Sequence, residues 1–419
     1  MEGDASTRYS WVDLAFSVIG VCTFLVDWGS DVWVATEFYS RGDYIWFGLL
    51  VGVMVLSSVV VQMFSWFWFK YDRQLPGFSQ AQSGAQMVLC GDKVRIFCLL
   101  HVLQLGFLCR HISAIFQGFK VWWRKQEGSD YAIYLTHDLS MLRLIETFCE
   151  SAPQLTLMIY VMLCTNKART VQFVSIAAST TSIAWMVVDY HRSLRSFLPD
   201  KAQQGWGSSL IYFLWNLLLI APRVAALALF SSVLPGYISA HFLLLWLVFV
   251  LWVWRQNTDF MDSACGEVLY RATVALIWYF SWFNVAEGRT RGRSLIYHTF
   301  MTVDGGVLLG TWWCYRDPVR TEPYGLALII ALPLTYLLGL LFKALYYCCF
   351  HPKLWRPPVR DPGLPDDLPD AEVSFKNVSA QDDTPSSHTL NRRMATHAAN
   401  FYTERKFGND QDTNRESPL

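Results

Sequence analysis

The stretch WVDLAFSVIGVCTFLVDWGSDVWVAT, residues 11–36, decides the fold. It is long enough to cross a bilayer's hydrocarbon, which takes about 20 predominantly apolar residues. Yet it carries Asp13, Asp27 and Asp31. An acid at the bilayer centre costs at least ~2.5–3.5 kcal/mol on insertion scales, so it is kept there by a partner or a task. At about 100° per residue, Asp27 and Asp31 return to within about 40° of Asp13. The three acids share one face, a polar stripe along a membrane helix. Such a stripe suits a path for something polar through or beside lipid better than a passive anchor.

Composition agrees with a membrane protein. Of 419 residues, 53% are hydrophobic, 16% aromatic and only 16% charged, and mean hydropathy is +0.25. That is the profile of an all-α polytopic membrane protein rather than a soluble core. Net charge is zero, so no basic field invites nucleic acid. The residues before Trp11 do not form a signal-peptide n-region, and the first helix is expected to stay as a signal anchor. The ten cysteines show no CxxC or Cys/His metal spacing. No P-loop, H-E-x-x-H or EF-hand sequence occurs, so neither a metal nor a cofactor is expected. Cys348 and Cys349 end the last apolar segment and are candidates for S-palmitoylation.

Hydropathy predicts spans at about 11–36, 44–69, 94–119, 169–196, 208–232, 238–256, 295–314 and 324–349. Two further apolar stretches are interrupted. Asp138–Cys164 contains Pro153, Glu146 and Glu150, and Glu267–Glu287 ends in a basic run. Both are predicted to be half-membrane, re-entrant helices, a setting in which irregular backbone lines protein or water. Lys70, Arg73, Lys93, Arg95, Arg192, Arg195, Lys201, Arg289, Arg291 and Arg293 fall in short loops that read as cytosolic, and both termini with them. One loop resists: Lys120, Arg124 and Lys125 would lie outside. The third span is also half-polar, with His101, Gln104, Arg110 and His111.

Residues 1–350 thus form a membrane domain, and residues 351–419 a cytosolic regulatory tail. The tail is Pro-rich and acidic, a composition of disorder. Near its end Leu390, Met394, Ala398 and Phe401 make one apolar helical stripe, predicting an amphipathic helix over about 389–404. So short a helix is marginal alone and needs a surface to dock on. Between domain and helix lies Asp367-Leu368-Pro369-Asp370 followed by Ala371, a DxxD sequence of the kind an executioner caspase cuts.

Inside the membrane domain, Glu146 and Glu150 share a helical face, with Arg143 placed to pair with Glu146. Asp189 and Arg192 are predicted to pair locally. Arg223, after Pro222, needs a carboxylate partner, and Asp304 sits deep in the seventh span. The surplus of acids over deep arginines calls for a hydrated groove. Nothing supports hydrolysis, and an enzyme is not expected. Trp46, Trp66, Trp68, Trp122, Trp123, Trp312 and Trp313 fall near span ends and read as interface belts.

Four segments carry a family likeness: MLRLIETFCESAPQL (141–155), SIAWMVVDYHR (182–192), IYFLWNLLLIAPR (211–223) and YFSWFNVAEGRTRGR (279–293), with NRRM (391–394) in the tail. They resemble the XK-related family. The resemblance implies eight transmembrane and two half-inserted helices with cytosolic termini. It implies an ATP-independent phospholipid scramblase of the plasma membrane. Such a protein is held inactive by its tail until a caspase removes it, and then exposes phosphatidylserine on apoptotic cells. It implies an immunoglobulin-type single-span partner, basigin or neuroplastin. The family's charged ladder falls on Asp13, Asp27, Asp31, Glu146, Glu150, Asp189, Arg192, Arg223 and Asp304, and its lipid gate on Trp46. Read without the resemblance, the same stripe also fits a secondary transporter or channel for a cationic solute, and the chain also fits a non-catalytic membrane complex subunit.

Overall fold

The computed structural model describes residues 11–72, 94–124, 129–165, 170–196, 205–261, 263–285 and 290–350. The side chain of Asp13, the tail with Asp367, Asp370 and Ala371, and the predicted 389–404 helix lie outside the described residues. Among the described residues every regular element is a helix. In chain order these are α1 (Trp11–Ser40), α2 (Tyr44–Asp72), α3 (Val94–Val102), α4 (Gly106–Arg124), α5 (Ser129–Glu146), α6 (Ala152–Thr165), α7 (Thr170–Ser196), α8 (Trp206–Val233), α9 (Pro235–Trp254), α10 (Ala264–Phe280), α11 (Thr290–Tyr315), α12 (Pro318–Thr321) and α13 (Gly325–Leu345). Among the described residues six stretches are long and apolar enough to cross a membrane: Ser17–Ser40, Tyr44–Lys70, Phe173–Leu194, Trp206–Val233, Pro235–Trp254 and Gly325–Phe350. Most of their exposed residues are apolar, as on α9 (Leu243, Leu244, Leu247, Leu251), because lipid rather than water surrounds them.

The core gathers around α8, which packs against α13, α7, α6 and α11. Trp68, Trp278, Trp312, Tyr270 and Tyr297 are fully buried there. Trp68 and Trp312 therefore leave the interface belt assigned to them. Each packs into the bundle interior, Trp68 with its indole N–H 3.3 Å from Met261 Sδ.

The expected single span over 94–119 is broken. Leu103–Leu105 form a turn, with Gln104 in left-handed backbone at φ 64°. Gln104 is held by Ser58 Oγ, which donates to its Oε1 at 2.6 Å, and by Gln62 Nε2, which donates to its carbonyl at 2.9 Å. His101 on α3 and Arg110 on α4 both reach Ser65 of α2, at 2.9 and 2.7 Å. On α1, Phe24 meets Phe107, while Leu14 packs on Val121. The two helices thus form a hairpin whose tip lies halfway along α1 and α2 and whose two ends lie toward the same face. Lys120 and Arg124 return to the face where α1 begins, which removes the anomaly of a basic loop on the other side. The polar residues of the segment explain the break, since they bond to α2 rather than facing lipid.

The segment expected to stop at Pro153 does not stop. Helix continues from Ser129 to Thr165 through a π turn, Thr147–Ser151, between α5 and α6. At 1.5 Å per residue this is about 55 Å, more than a membrane's hydrocarbon. Proline has no N–H to donate to a residue four back. The π turn absorbs the defect: Ala152 N–H bonds to Thr147 O, five residues back, just ahead of Pro153. By contrast, α10 ends at Phe280, Ser281 is extended, and residues 282–285 form no regular element, with Trp278 Nε1–H donating to Phe283 O at 2.6 Å.

The hairpin turn depends on Gly106, where an added Cβ would lie 2.6 Å from the buried His101 ring. Gly106→Ala should cost about 1–3 kcal/mol by overpacking. Gly48→Ala, in open space on α2, should cost nothing. Thermal unfolding in detergent, read for both variants, checks the contrast.

Candidate functional site

The helix pair α5–α6 carries a column of polar side chains: Asp138, Arg143, Glu146, Glu150, Ser151 and Gln154. From Asp138 to Gln154 the column rises about 24 Å at 1.5 Å per residue. Helices α2, α4 and α7 pack around it. α1 runs parallel to it, since Leu14 meets Ala132, Gly20 meets Arg143 and Asp27 meets Ser151. The π turn widens the helix at the middle of the column and sets Glu150 and Ser151 toward α1.

The lower part of the column is neutralised pair by pair. Arg110 bonds Asp138 at 3.2 Å, and its other nitrogens donate to Ser65 Oγ (2.7 Å) and Ser65 O (2.8 Å). Arg143 bonds Asp189 of α7 at 3.1 Å, and both are buried. The Arg143 guanidinium lies on Gly20 so closely that a Cβ there would sit 1.7 Å from Nη1. Arg143 is therefore not tied to Glu146, nor Asp189 to Arg192, as the local spacings suggest. The bonded partner is the carboxylate that α7 brings within 3.1 Å of the guanidinium. Arg192 instead lies over the Trp206 ring at 5.6 Å.

The upper part is different. Asp27, Asp31, Glu146 and Glu150 lie within electrostatic reach of one another. Among the described residues Arg143 is the one cation within reach of this group, beside Glu146. Ser151 Oγ donates to Asp27 Oδ2 at 3.3 Å, and Ser57 and Gln154 flank Glu150 and Asp31. Asp31 and Glu150 are buried. Asp27 is exposed on the outer surface of α1, between Val26 (69% exposed) and Trp28 (56%). The group therefore opens toward lipid at Asp27. An excess of carboxylates in such a setting attracts cationic groups and water. Among the described residues no group of His, Cys, Asp or Glu has the geometry to hold a metal ion.

A second cluster sits between α8, α9, α10 and α11. Arg223 is bonded to Asp304, and its Nε–H donates to Tyr279 O at 3.0 Å. His241 stands 3.0 Å from Asp304 Oδ1 and 3.0 Å from the Tyr279 hydroxyl. The partner that Arg223 requires is thus Asp304. Trp46 stands at the far end of the column, edge-on to Tyr160 of α6 at 5.2 Å. Cys348 and Cys349 are both exposed at the other face of the bundle.

Asp138 and Gln154 of the column, Arg110 and Ser65 beside it, and His241 of the second cluster escape the sequence reading as site residues. Arg110 was visible as a charge within an apolar segment, and that signal alone called for an acid elsewhere. His241 and Gln154 give no such signal, since a single polar residue in an apolar run fits many settings.

Removing Arg143 strands Asp189. Breaking one side of a buried pair costs about 3–5 kcal/mol. Arg143→Met should lower thermal stability in detergent by that order, and Asp189→Asn added to it should recover most of the loss. Equal, additive losses would mean that the pair is not coupled.

Residues 15–352 match the family model described as XK-related protein. The chain is 75% identical to XK-related protein 8 of Tetraodon nigroviridis over 405 residues, 97% of this chain and 100% of that protein. It is 74% identical to XK-related protein 8 of Gasterosteus aculeatus over 404 residues, covering 96% of this chain and all of that one. Against XK-related protein 8 of Pan troglodytes identity is 43%, over 94% of this chain and 95% of that protein. With its apolar helices and near full-length identity to these relatives, the chain is a multi-pass membrane protein that belongs to the XK-related family.

Proposed function

We propose that this protein is a phospholipid scramblase of the plasma membrane, moving lipids both ways between leaflets without ATP and without covalent chemistry. One observation carries the reading: Asp27 stands exposed on a lipid-facing surface while bonded inward to the carboxylate column. A phospholipid headgroup cannot cross hydrocarbon unaided, because stripping a charge of its hydration costs far more than thermal energy. The column offers carboxylates to an ammonium or choline cation while the acyl chains stay in the bilayer. Glu150, Asp31 and Asp27 form the middle of the path, and Trp46 with Tyr160 the gate at one end. No energy input is required, since lipid flows down its own gradient.

The same reading gives eight crossings: α1, α2, α5–α6, α7, α8, α9, α11 and α13. The α3–α4 hairpin and α10 with the irregular segment after it are the two half-inserted pieces. Both termini then face the cytosol. The tail acts as the switch: its 389–404 helix docks on the membrane domain and holds the path shut. A caspase cutting after Asp370 frees that helix and drops its effective concentration to near nothing, exposing phosphatidylserine. Basigin or neuroplastin is the partner that carries the protein to the surface. The carboxylate excess equally favours a cationic solute, which makes a transporter or channel the second reading.

Purified chain lacking residues 371–419, placed in liposomes with a headgroup-labelled lipid, separates the two. A scramblase makes the label in both leaflets accessible to an external quencher without ATP. Solute flux with a protected inner leaflet would establish the transporter instead. Within the first outcome, Asp31→Ala and Glu150→Ala should each slow exchange several-fold at equal incorporation. In cells, Asp370→Ala should abolish phosphatidylserine exposure on caspase activation.

A further inference from the structure

α13 runs from Gly325 to Leu345. At 1.5 Å per residue it is about 31 Å long, the thickness of a bilayer's hydrocarbon. The helix then relaxes into a π turn, Tyr346–Phe350. Tyr346 is buried at 1% exposure, edge-on to Tyr212 at 5.3 Å and to Trp215 at 5.1 Å on α8. That contact fixes the inner side of the turn. Its outer side carries Cys348 and Cys349, both exposed, with Tyr347 and Phe350 exposed beside them. Above them Leu334, Leu338, Leu341 and Leu345 continue as an exposed apolar ridge. Lys343, one turn before the thiols, bonds Ser294 Oγ at 2.6 Å and marks where the ridge reaches the polar boundary.

The other described cysteines are placed differently. Cys109 and Cys149 are buried, and Cys22 is exposed midway along α1. Cys164 and Cys314 lie toward the opposite face, where the Arg320 guanidinium bonds Cys164 O at 2.7 Å. Cys98 and Cys265 are exposed nearer the face of Cys348, but each stands alone on its helix.

We propose that Cys348 and Cys349 are S-acylated with long-chain fatty acids. The co-reactant is a fatty acyl-coenzyme A, a cytosolic thioester, delivered by a membrane acyltransferase. Each cysteine sulfur attacks the acyl carbonyl carbon. A new thioester bond forms, the bond to the coenzyme sulfur breaks, and coenzyme A leaves as its thiol with the proton the cysteine gave up. No electrons are transferred. The acyl chains lie along the Leu334–Leu345 ridge, whose end is already at the depth where a chain enters hydrocarbon. The modification holds residue 350, and with it the start of residues 351–419, at the bilayer surface. It requires that this face be the cytosolic one, but it does not depend on lipid scrambling.

Full-length protein expressed in cells tests this. Free thiols are blocked, thioesters are cleaved with hydroxylamine, and each released thiol is tagged with a maleimide polymer that shifts the band. The wild type should show two hydroxylamine-dependent steps. Cys348→Ser and Cys349→Ser should each show one, the double variant none, and Cys98→Ser or Cys265→Ser both steps. A wild type with no step, or a double variant that keeps its steps, overturns the proposal.

Discussion

The Arg143 guanidinium, held between Gly20 of α1 and Asp189 of α7, is the contact on which the rest of the structure depends. It joins three helices at one level. Hydrophobic burial supplies little direction between helices already in lipid, so small residues and polar contacts set the packing. Gly20 lets α1 approach within reach of a charged side chain. Asp189 gives that side chain its counter-charge. Once α1 is pinned there in parallel with α5, the one-turn spacing of Asp27 and Asp31 carries both up to the π turn, beside Ser151 and Glu150. The carboxylate group is therefore a consequence of register as much as of composition.

The π turn does the complementary part. An uninterrupted α-helix would place Glu146 and Glu150 one above the other on a narrow face. The wider turn forced by Pro153 presents Glu150 and Ser151 together, toward Asp31 and Asp27. A residue that reads as a helix stop becomes the device that shapes the site. Inserted π turns are found at functional positions in many helices, and here the physical reason is visible in the missing proline N–H.

Much of this was legible in the sequence. Membrane residence, the nearness of Asp27 and Asp31 on one side of α1 and the need of Arg223 for a carboxylate follow from residue types and spacing. The errors share one cause. Helical periodicity describes neighbours within a segment, whereas buried charges choose partners across helices. Arg143 was paired with Glu146 because three residues separate them, yet Asp189, far away in the chain, offers a buried bond. The third span was drawn through Gln104 because hydropathy averages over a window. The hydrogen bonds from Ser58 and Gln62 that reward a break there belong to α2. Trp68 and Trp312 were placed at interfaces by position alone, although tryptophan fills a core equally well when its N–H finds an acceptor.

The two ionic clusters differ in how completely their charges are matched. Arg223 and Asp304 match charge for charge, with the Tyr279 carbonyl on Arg223 Nε and His241 on Asp304 Oδ1, while Arg223 Nη2 stays without a hydrogen bond among the described residues. A charge-matched set of this kind fixes α8, α9, α10 and α11 against one another. The Arg110–Asp138 pair is likewise matched in charge, and Ser65 Oγ and its carbonyl take the other Arg110 nitrogens. The group of Asp27, Asp31, Glu146 and Glu150 is not matched. Its carboxylates outnumber the Arg143 charge within their reach, which already answers Asp189. A fold selected only for rigidity would have replaced such an excess with apolar side chains, because buried charges without partners destabilise. Retaining it beside an exposed Asp27 makes physical sense when something cationic enters from the lipid side and completes the set in transit.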